Sequence, residues 1–269
     1  MNNEKRKVHD FWNDASCGED LYLTNPDKEG YGFQAKERYR LEGEMIYDLA
    51  NFSDSKNLNV LEIGVGLGAD HQKFAESGAK LTGIDLTERA VNYTQQRMKV
   101  FGLNSKLNVG DAENLTFDDE SFDIVYSWGV LHHSPNTIKA LSEVHRVLKK
   151  GGTARIMIYH KWSIVGYMLW IRYALLTLKP WMGLNKIYYN YLESPGTKAY
   201  SKSEVKKMFV DYESIAIKTP LGHADLLESE VGQRHRGFAL KLAKKIWPRW
   251  LIKKLFPNSG LGMLITAVK

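Results

Sequence analysis

The sequence predicts an α/β fold: a Rossmann-like seven-stranded sheet with helices on both faces and helical cover insertions. Three observations carry the prediction. Short β-branched runs alternate with helical patterns through the middle of the chain. The connections between them are short, as crossover units of a parallel sheet require. A glycine-rich loop, Gly64-Val65-Gly66-Leu67-Gly68, leaves the first strand-like run and opens a helix.

In chain order, residues 1–57 read as helical, with Phe33 to Phe52 the main helix, and Leu58 to Ile63 is the first strand. Lys80 to Ile84 is the second. Thr87 then caps a helix whose apolar face is Ala90, Val91, Met98 and Phe101, with Gly102 as its stop. Lys106 to Val109 and Asp123 to Trp128 are the third and fourth strands. Ser134-Pro135 starts a further helix with Pro135 at its first position, and Ile138, Leu141, Val144 and Leu148 mark its buried stripe. Arg146, Lys149 and Lys150 occupy its last turn, and Gly151-Gly152 close it. Ala154 to Tyr159 is the fifth strand, Glu213 to Lys218 the sixth and Met263 to Val268 the seventh. There is no internal repeat and no low-complexity linker. The expected organisation is one domain over 1–269, with an N-terminal helical cover (1–57), a cofactor-binding core (58–159) and substrate-cover insertions (160–211 and 219–262).

Composition narrows the function classes. The chain has 269 residues, 43% hydrophobic and 25% charged, which excludes disorder and collagen-like repeats. Cys17 is the one cysteine, and neither CxxC nor HExxH occurs, so no disulfide and no metal site is expected. The start, Met1 to Lys7, is polar and lacks an apolar stretch behind it, so a reducing, cytoplasmic setting is expected. The net charge is +6, but eight of the 37 Lys and Arg residues lie between Arg234 and Phe256, a window without an acid. The remainder holds 29 bases against 31 acids, a net of −2. A near-neutral body with one basic segment argues against a nucleic-acid partner.

The glycine loop admits two cofactors. Gly64-x-Gly66-x-x-Ala69 fits a dinucleotide fingerprint, and Glu62-x-Gly64-x-Gly66-x-Gly68 fits an S-adenosylmethionine loop. Asp85 ends the second strand 21 residues after Gly64 and suits the ribose diol of either. Asp70, in the first turn of the following helix, would repel a pyrophosphate. Glu62 beside the loop suits a cationic amino acid group. After the third strand, Gly110-Asp111-Ala112-Glu113 offers an acid for an adenine amino group and a backbone N–H for the ring. These three features favour the sulfonium cofactor.

At these positions the sequence resembles the class I S-adenosylmethionine-dependent methyltransferases of small-molecule type. The resemblance covers roughly residues 58–160. It rests on Leu61 to Gly68, Gly83-Ile84-Asp85-Leu86, Gly110 to Glu113, Phe117 to Asp123, Trp128-Gly129-Val130-Leu131-His132-His133 and Val147 to Gly152. It implies strand order 3-2-1-4-5-7-6 with strand 7 antiparallel, S-adenosylmethionine as cofactor and S-adenosylhomocysteine as product. By the same resemblance Gly64, Gly66 and Gly68 lie along the methionine portion, Asp85 takes the ribose, Asp111 and Ala112 frame the adenine, and Ser127 and Trp128 flank the methionine.

Methyl transfer to a hydroxyl needs a base at the carboxyl end of the sheet. His132 and His133 follow the fourth strand and His160 the fifth, which makes all three candidates, His133 foremost; His223 with Asp225 is a fainter one. Oxygen is the favoured acceptor atom over nitrogen or carbon. A nicotinamide-dependent oxidoreductase and a non-catalytic nucleotide-binding protein are the rival classes. The apolar run Trp162 to Leu178 reads first as a cover helix over an organic substrate and second as a membrane-contacting one. The basic, Trp-containing run 241–256 suits either a solvated helix pair or peripheral contact with an anionic membrane. Arg234, His235 and Arg236, between Gly232 and Gly237, suit the phosphate of an activated or lipid-linked precursor, or form a surface turn.

Overall fold

A computed structural model describes residues 2–228, 244–245 and 247–269. Its seven-stranded sheet has the order β3-β2-β1-β4-β5-β7-β6. The strands are β1 (Asn59–Ile63), β2 (Lys80–Asp85), β3 (Lys106–Val109), β4 (Phe122–Trp128), β5 (Leu148–Tyr159), β6 (Ser214–Lys218) and β7 (Gly262–Val268). β7 pairs antiparallel to both β5 and β6, while the β1–β5 pairings are parallel. Fold class, strand order and the reversed seventh strand all match the expectation.

Because neighbouring strand residues point to opposite faces, each strand feeds two cores. On one face Leu61, Val125 and Ile156 pack with Leu141 and Val144 of a helix spanning Thr137–Val147 and with Val205 and Phe209. On the other, Val60, Ile124 and Met157 meet Ile46 and Leu49 of the long N-terminal helix and Phe74 behind the glycine loop. Burial of these apolar side chains, at roughly 1.5–3 kcal/mol each, is what holds the helical layers to the sheet.

The helices that position the site are α1 (Asn3–Asp14), α2 (Glu19–Tyr22), α3 (Lys28–Ala50), α4 (Ala69–Glu76), α5 (Glu88–Val100) and α6 (Thr137–Val147). Thr87 caps α5 as expected, accepting from the Ala90 N–H. Two boundaries differ from expectation. Asn136, not Ser134, caps α6, its side chain accepting from the Lys139 N–H, so Pro135 lies outside the helix. The α6 helix gives way to β5 at Leu148, and Lys149 to Gly152 belong to that strand rather than to a helix terminus. The pull on this segment is the pairing of β5 with β4, which begins at Phe122 and Leu148.

The apolar run after Trp162 is broken into α7 (Ile164–Trp170), one π-helical turn (Ile171–Leu175) and, after a turn, α8 (Leu184–Tyr191). These build a core of their own from Val165, Leu169, Ala174, Leu184, Ile187 and Tyr188. Downstream, α9 (Lys202–Met208) is closed by a capping box between Ser201 and Glu204. No helix among the described residues is long and apolar enough to cross a membrane.

Candidate active site

The carboxyl ends of β1, β2 and β4 open into a cleft of about 1440 Å³ of empty space, its mouth included. Its floor is the glycine loop between β1 and α4. Gly64, Gly66 and Gly68 have φ of +85°, +52° and +75°, the left-handed region that glycine enters without penalty. A Cβ at Gly64 would collide with the Val130 side chain, and one at Gly68 would stand 2.9 Å from Thr94. At Gly66 it would project into open space. The first and third glycines thus let the loop pack, and the second leaves room above it. Arg97 fixes the loop from behind. Its buried guanidinium donates to the Leu67 carbonyl (2.9 Å), to Gln34 and Gln72 side chains, and to the Tyr31 carbonyl.

Asp85 lies over the loop. One carboxylate oxygen accepts from the Gly66 N–H (3.2 Å), and the other from the N–H and hydroxyl of Thr87 (3.0 and 2.9 Å). Burial raises its pKa above the ordinary carboxylate value. Leu86, Asp111, Ala112 and Trp128 also line the cleft, together with Glu62 and Asp70.

The two loop-side acids are not equivalent. Burial and the nearby Asp70 push the Glu62 carboxyl well up, and its Oε2 lies 2.8 Å from Nδ1 of His71. That histidine is itself held neutral by burial, its pKa lowered to about 3. Burial alone would raise Asp70, but Arg38 and the Tyr126 and Tyr39 hydroxyls, at 2.6, 2.9 and 3.0 Å, hold it low. The arginine also corrects the sequence argument. Asp70 is ion-paired, so its charge is not presented bare to an incoming anion.

Several expected site residues face elsewhere. Ser127 is fully buried and donates to the Ile63 carbonyl, tying β4 to β1. Glu113 turns from the cleft to accept from Lys5, from the Ser134 hydroxyl and from the Asn136 N–H, anchoring the start of α6. His160 does not line the cleft; its Nδ1 lies 3.3 Å from the Gly260 carbonyl. His132 is fully buried behind the wall, its ring packed against His133 and Tyr159 at centroid distances of 4.2 and 4.0 Å. His133 does reach the cleft. Its Nδ1 is engaged by Ser194 (2.8 Å) and Thr197 (3.2 Å), which points Nε2 toward Glu193 Oε2 at 3.4 Å. His223 lines a side chamber, while Asp225 is buried against the Gly222 and Leu261 N–H groups. Arg234, His235 and Arg236 lie outside the described residues.

The 1–57 block supplies most of the wall that faces the sheet ends. Its contribution comes from α1, whose Lys5, Val8 and Trp12 line the cleft, and from Arg38 and Glu42 of α3. From the 160–211 block only Glu193 contributes; the apolar helix α7 does not line the cleft. Lys5 bridges Asp111 (2.6 Å) and Glu113 (2.8 Å), pinning α1 over the end of β3. A side chamber shares Trp12, Cys17, Arg38, Glu42 and Glu193 with the main cleft and adds Phe11, Leu21, Tyr22, Leu41 and Leu192.

Sequence reasoning missed Lys5, Trp12, Arg38 and Glu193. None belongs to a local motif, and each reaches the cleft only because separate elements converge on it.

The cleft lies at the switch in strand order, the place where open α/β sheets of this class bind their ligands. Residues 61–156 match the model of a methyltransferase domain. Over that segment the match agrees with the resemblance to class I S-adenosylmethionine-dependent methyltransferases that the motifs carry. The chain is similar to a sterol 4-C-methyltransferase of Caenorhabditis elegans, 32% identical over 36% of this chain and 30% of that one. It is also similar to phosphoethanolamine N-methyltransferase 2 of the same organism, 34% identical over 44% of this chain and 28% of the other. A ubiquinone biosynthesis O-methyltransferase of Coxiella burnetii is 27% identical over 54% and 55%. The chain thus spans between about a quarter and just over half of these relatives' lengths. Among solved structures, a methyltransferase from Methanosarcina mazei superposes with a TM-score of 0.53 at 20% identity, over 84% of this chain and 96% of that one. That likeness shows the fold.

The site fits the family's cofactor. The space above Gly66, the Asp85 carboxylate at the ribose position and the Asp111–Ala112 edge are the features a nucleoside with a cationic amino acid tail requires.

Proposed function

We propose that the chain transfers a methyl group from S-adenosylmethionine to an oxygen of a small-molecule or lipid-linked precursor. One observation carries the reading: the nucleoside-binding half of the cleft and a His133–Tyr159–Glu193 corner share one cavity. When bound, the cofactor supplies a methyl group on a sulfonium, which is already a good leaving group. The chain's residues have the remaining work. Asp85 would hold the ribose hydroxyls, Asp111 and Ala112 the adenine edge, and the loop from Gly64 to Gly68 the amino acid portion.

Trp12 and Tyr159 flank the acceptor end of the cleft, and the side chamber receives the acceptor's body. The relatives named above carry C-, N- and O-transfer in their names, and the corner is what favours oxygen here. A hydroxyl must lose a proton, and His133, oriented by Ser194 and Thr197 and facing Glu193, is where it would be lost. A phosphate on the acceptor would be met by Arg234 and Arg236, with His235.

Calorimetry with S-adenosylmethionine, followed by a labelled-methyl screen over glycan, quinone, lipid and small-acid fractions, tests the reading. His133→Ala is expected to lower turnover about 100-fold or more while cofactor affinity stays within a few fold. Failure to bind the cofactor defeats the reading, and unaltered turnover removes His133 from it.

A further inference from the structure

We propose that His132, His133 and Glu193 form a binding site for a transition-metal dication of the zinc class at the acceptor end of the cleft. One ligand atom from each of the three lies within 4.8 Å of the others. The residues are 60 positions apart in the chain, so no spacing pattern announces the group. The one-turn 3-10 segment Leu131–His133 sets the two imidazole centroids 4.2 Å apart, His133 at the cleft and His132 just behind it.

Each histidine supplies an independent reason. His133 has its Nδ1 taken by Ser194 and Thr197, and its buried Nε2 has no hydrogen-bond partner, standing 3.4 Å from the Glu193 carboxylate. An imidazole oriented through one nitrogen and open at the other is the arrangement found around metal ligands. His132 is 0% exposed, and neither of its ring nitrogens has a partner. A buried ring with unsatisfied nitrogens is costly, and a bound cation would satisfy one of them. On the third side the Tyr159 hydroxyl donates to Glu193 Oε2 at 2.7 Å and fixes the carboxylate.

Two imidazoles and one carboxylate suit zinc, iron, cobalt or nickel better than magnesium or calcium, which prefer all-oxygen shells. Three protein ligands also leave a coordination position for an incoming oxygen. The consequence for chemistry rests on the methyl-transfer reading. An acceptor hydroxyl on the ion has its pKa lowered, so its O–H bond breaks with the proton passing to a solvent water and the electron pair staying on oxygen. His133 is then a ligand rather than the base.

The test uses the full chain, stripped with a chelator and titrated with Co²⁺ and Zn²⁺. We expect one equivalent of Co²⁺ to give a visible absorption band that Zn²⁺ abolishes. Metal affinity is expected to fall more than about tenfold in Glu193→Gln and His132→Asn, and about tenfold in Ser194→Ala, which removes an orienting partner. Glu193 is partly exposed, so its variant is expected to keep the fold, and zinc should raise the melting temperature of the parent protein and not of Glu193→Gln. Absence of stoichiometric binding, or equal affinity in the parent and Glu193→Gln, overturns the site. Cofactor affinity is measured separately by calorimetry; its loss would strike the methyl-transfer reading and leave the metal result standing.

Discussion

At Gly64 and Gly66 the same substitution to alanine should have different consequences. Gly64→Ala forces a side chain into Val130 at φ +85°, so it should cost about 1–3 kcal/mol of stability, read in urea unfolding. Gly66→Ala meets open space, so its stability cost should be limited to the backbone strain of φ +52°, about 1–2 kcal/mol, while its methyl group occupies the room above the loop and weakens cofactor binding. At Asp85 the charge itself is expected to matter. Asp85→Ala should weaken S-adenosylmethionine by about 10- to 100-fold in calorimetry, the worth of hydrogen bonds to a charged group. Residues of this kind were legible because backbone geometry demands them within a few positions of a strand end. Ser127, Glu113 and His160 sat equally near strand ends, yet their partners are the Ile63 carbonyl, the start of α6 and the Gly260 carbonyl. No local pattern states which way such a side chain turns.

Elements show the same division. The cap of α5 could be read from Thr87 because a cap is satisfied within three residues. The α9 cap has a measurable acid signature. Burial would raise Glu204, but Lys161 and the Ser201 hydroxyl and N–H outweigh it and lower the carboxyl from 4.5 to about 2. A depressed carboxylate contributes stability above pH 4.5 that is lost as pH falls toward 2. Glu204→Gln should therefore flatten that part of the acid-unfolding curve, with little change in slope near pH 7. For α1, the Lys5 bridge to Asp111 and Glu113 predicts that Lys5→Ala speeds amide exchange in residues 3–14 and leaves β1 and β4 unchanged. The β5 start at Leu148 was not legible, since lysines and glycines at 149–152 read as a helix end until β4 supplies a partner.

For the molecule as a whole, the membrane question turns on surface chemistry. The short helix Arg249–Leu255 exposes Trp250 and Leu255 beside Lys253 and Lys254, with Phe256 following. We propose peripheral contact with anionic lipid there. Cosedimentation with phosphatidylserine vesicles should fall several-fold in a Trp250→Ala/Lys253→Glu/Lys254→Glu variant and weaken with salt; indifference to these changes would exclude it. The number of strands was foreseeable from alternating strand and helix patterns with short connections, whereas their order and the reversed seventh strand came from the family resemblance. Sequence by itself therefore determined the fold class, the glycine loop and the positions of Asp85 and Asp111, all set by contacts local in the chain. The tertiary structure alone decided which residues of the N-terminal cover reach the cleft, that Arg38 neutralises Asp70, and that Glu193 meets His132 and His133. Those pairings join residues 32 to 61 or more positions apart. Which of them meet depends on how whole helices pack, and one residue's identity does not encode that.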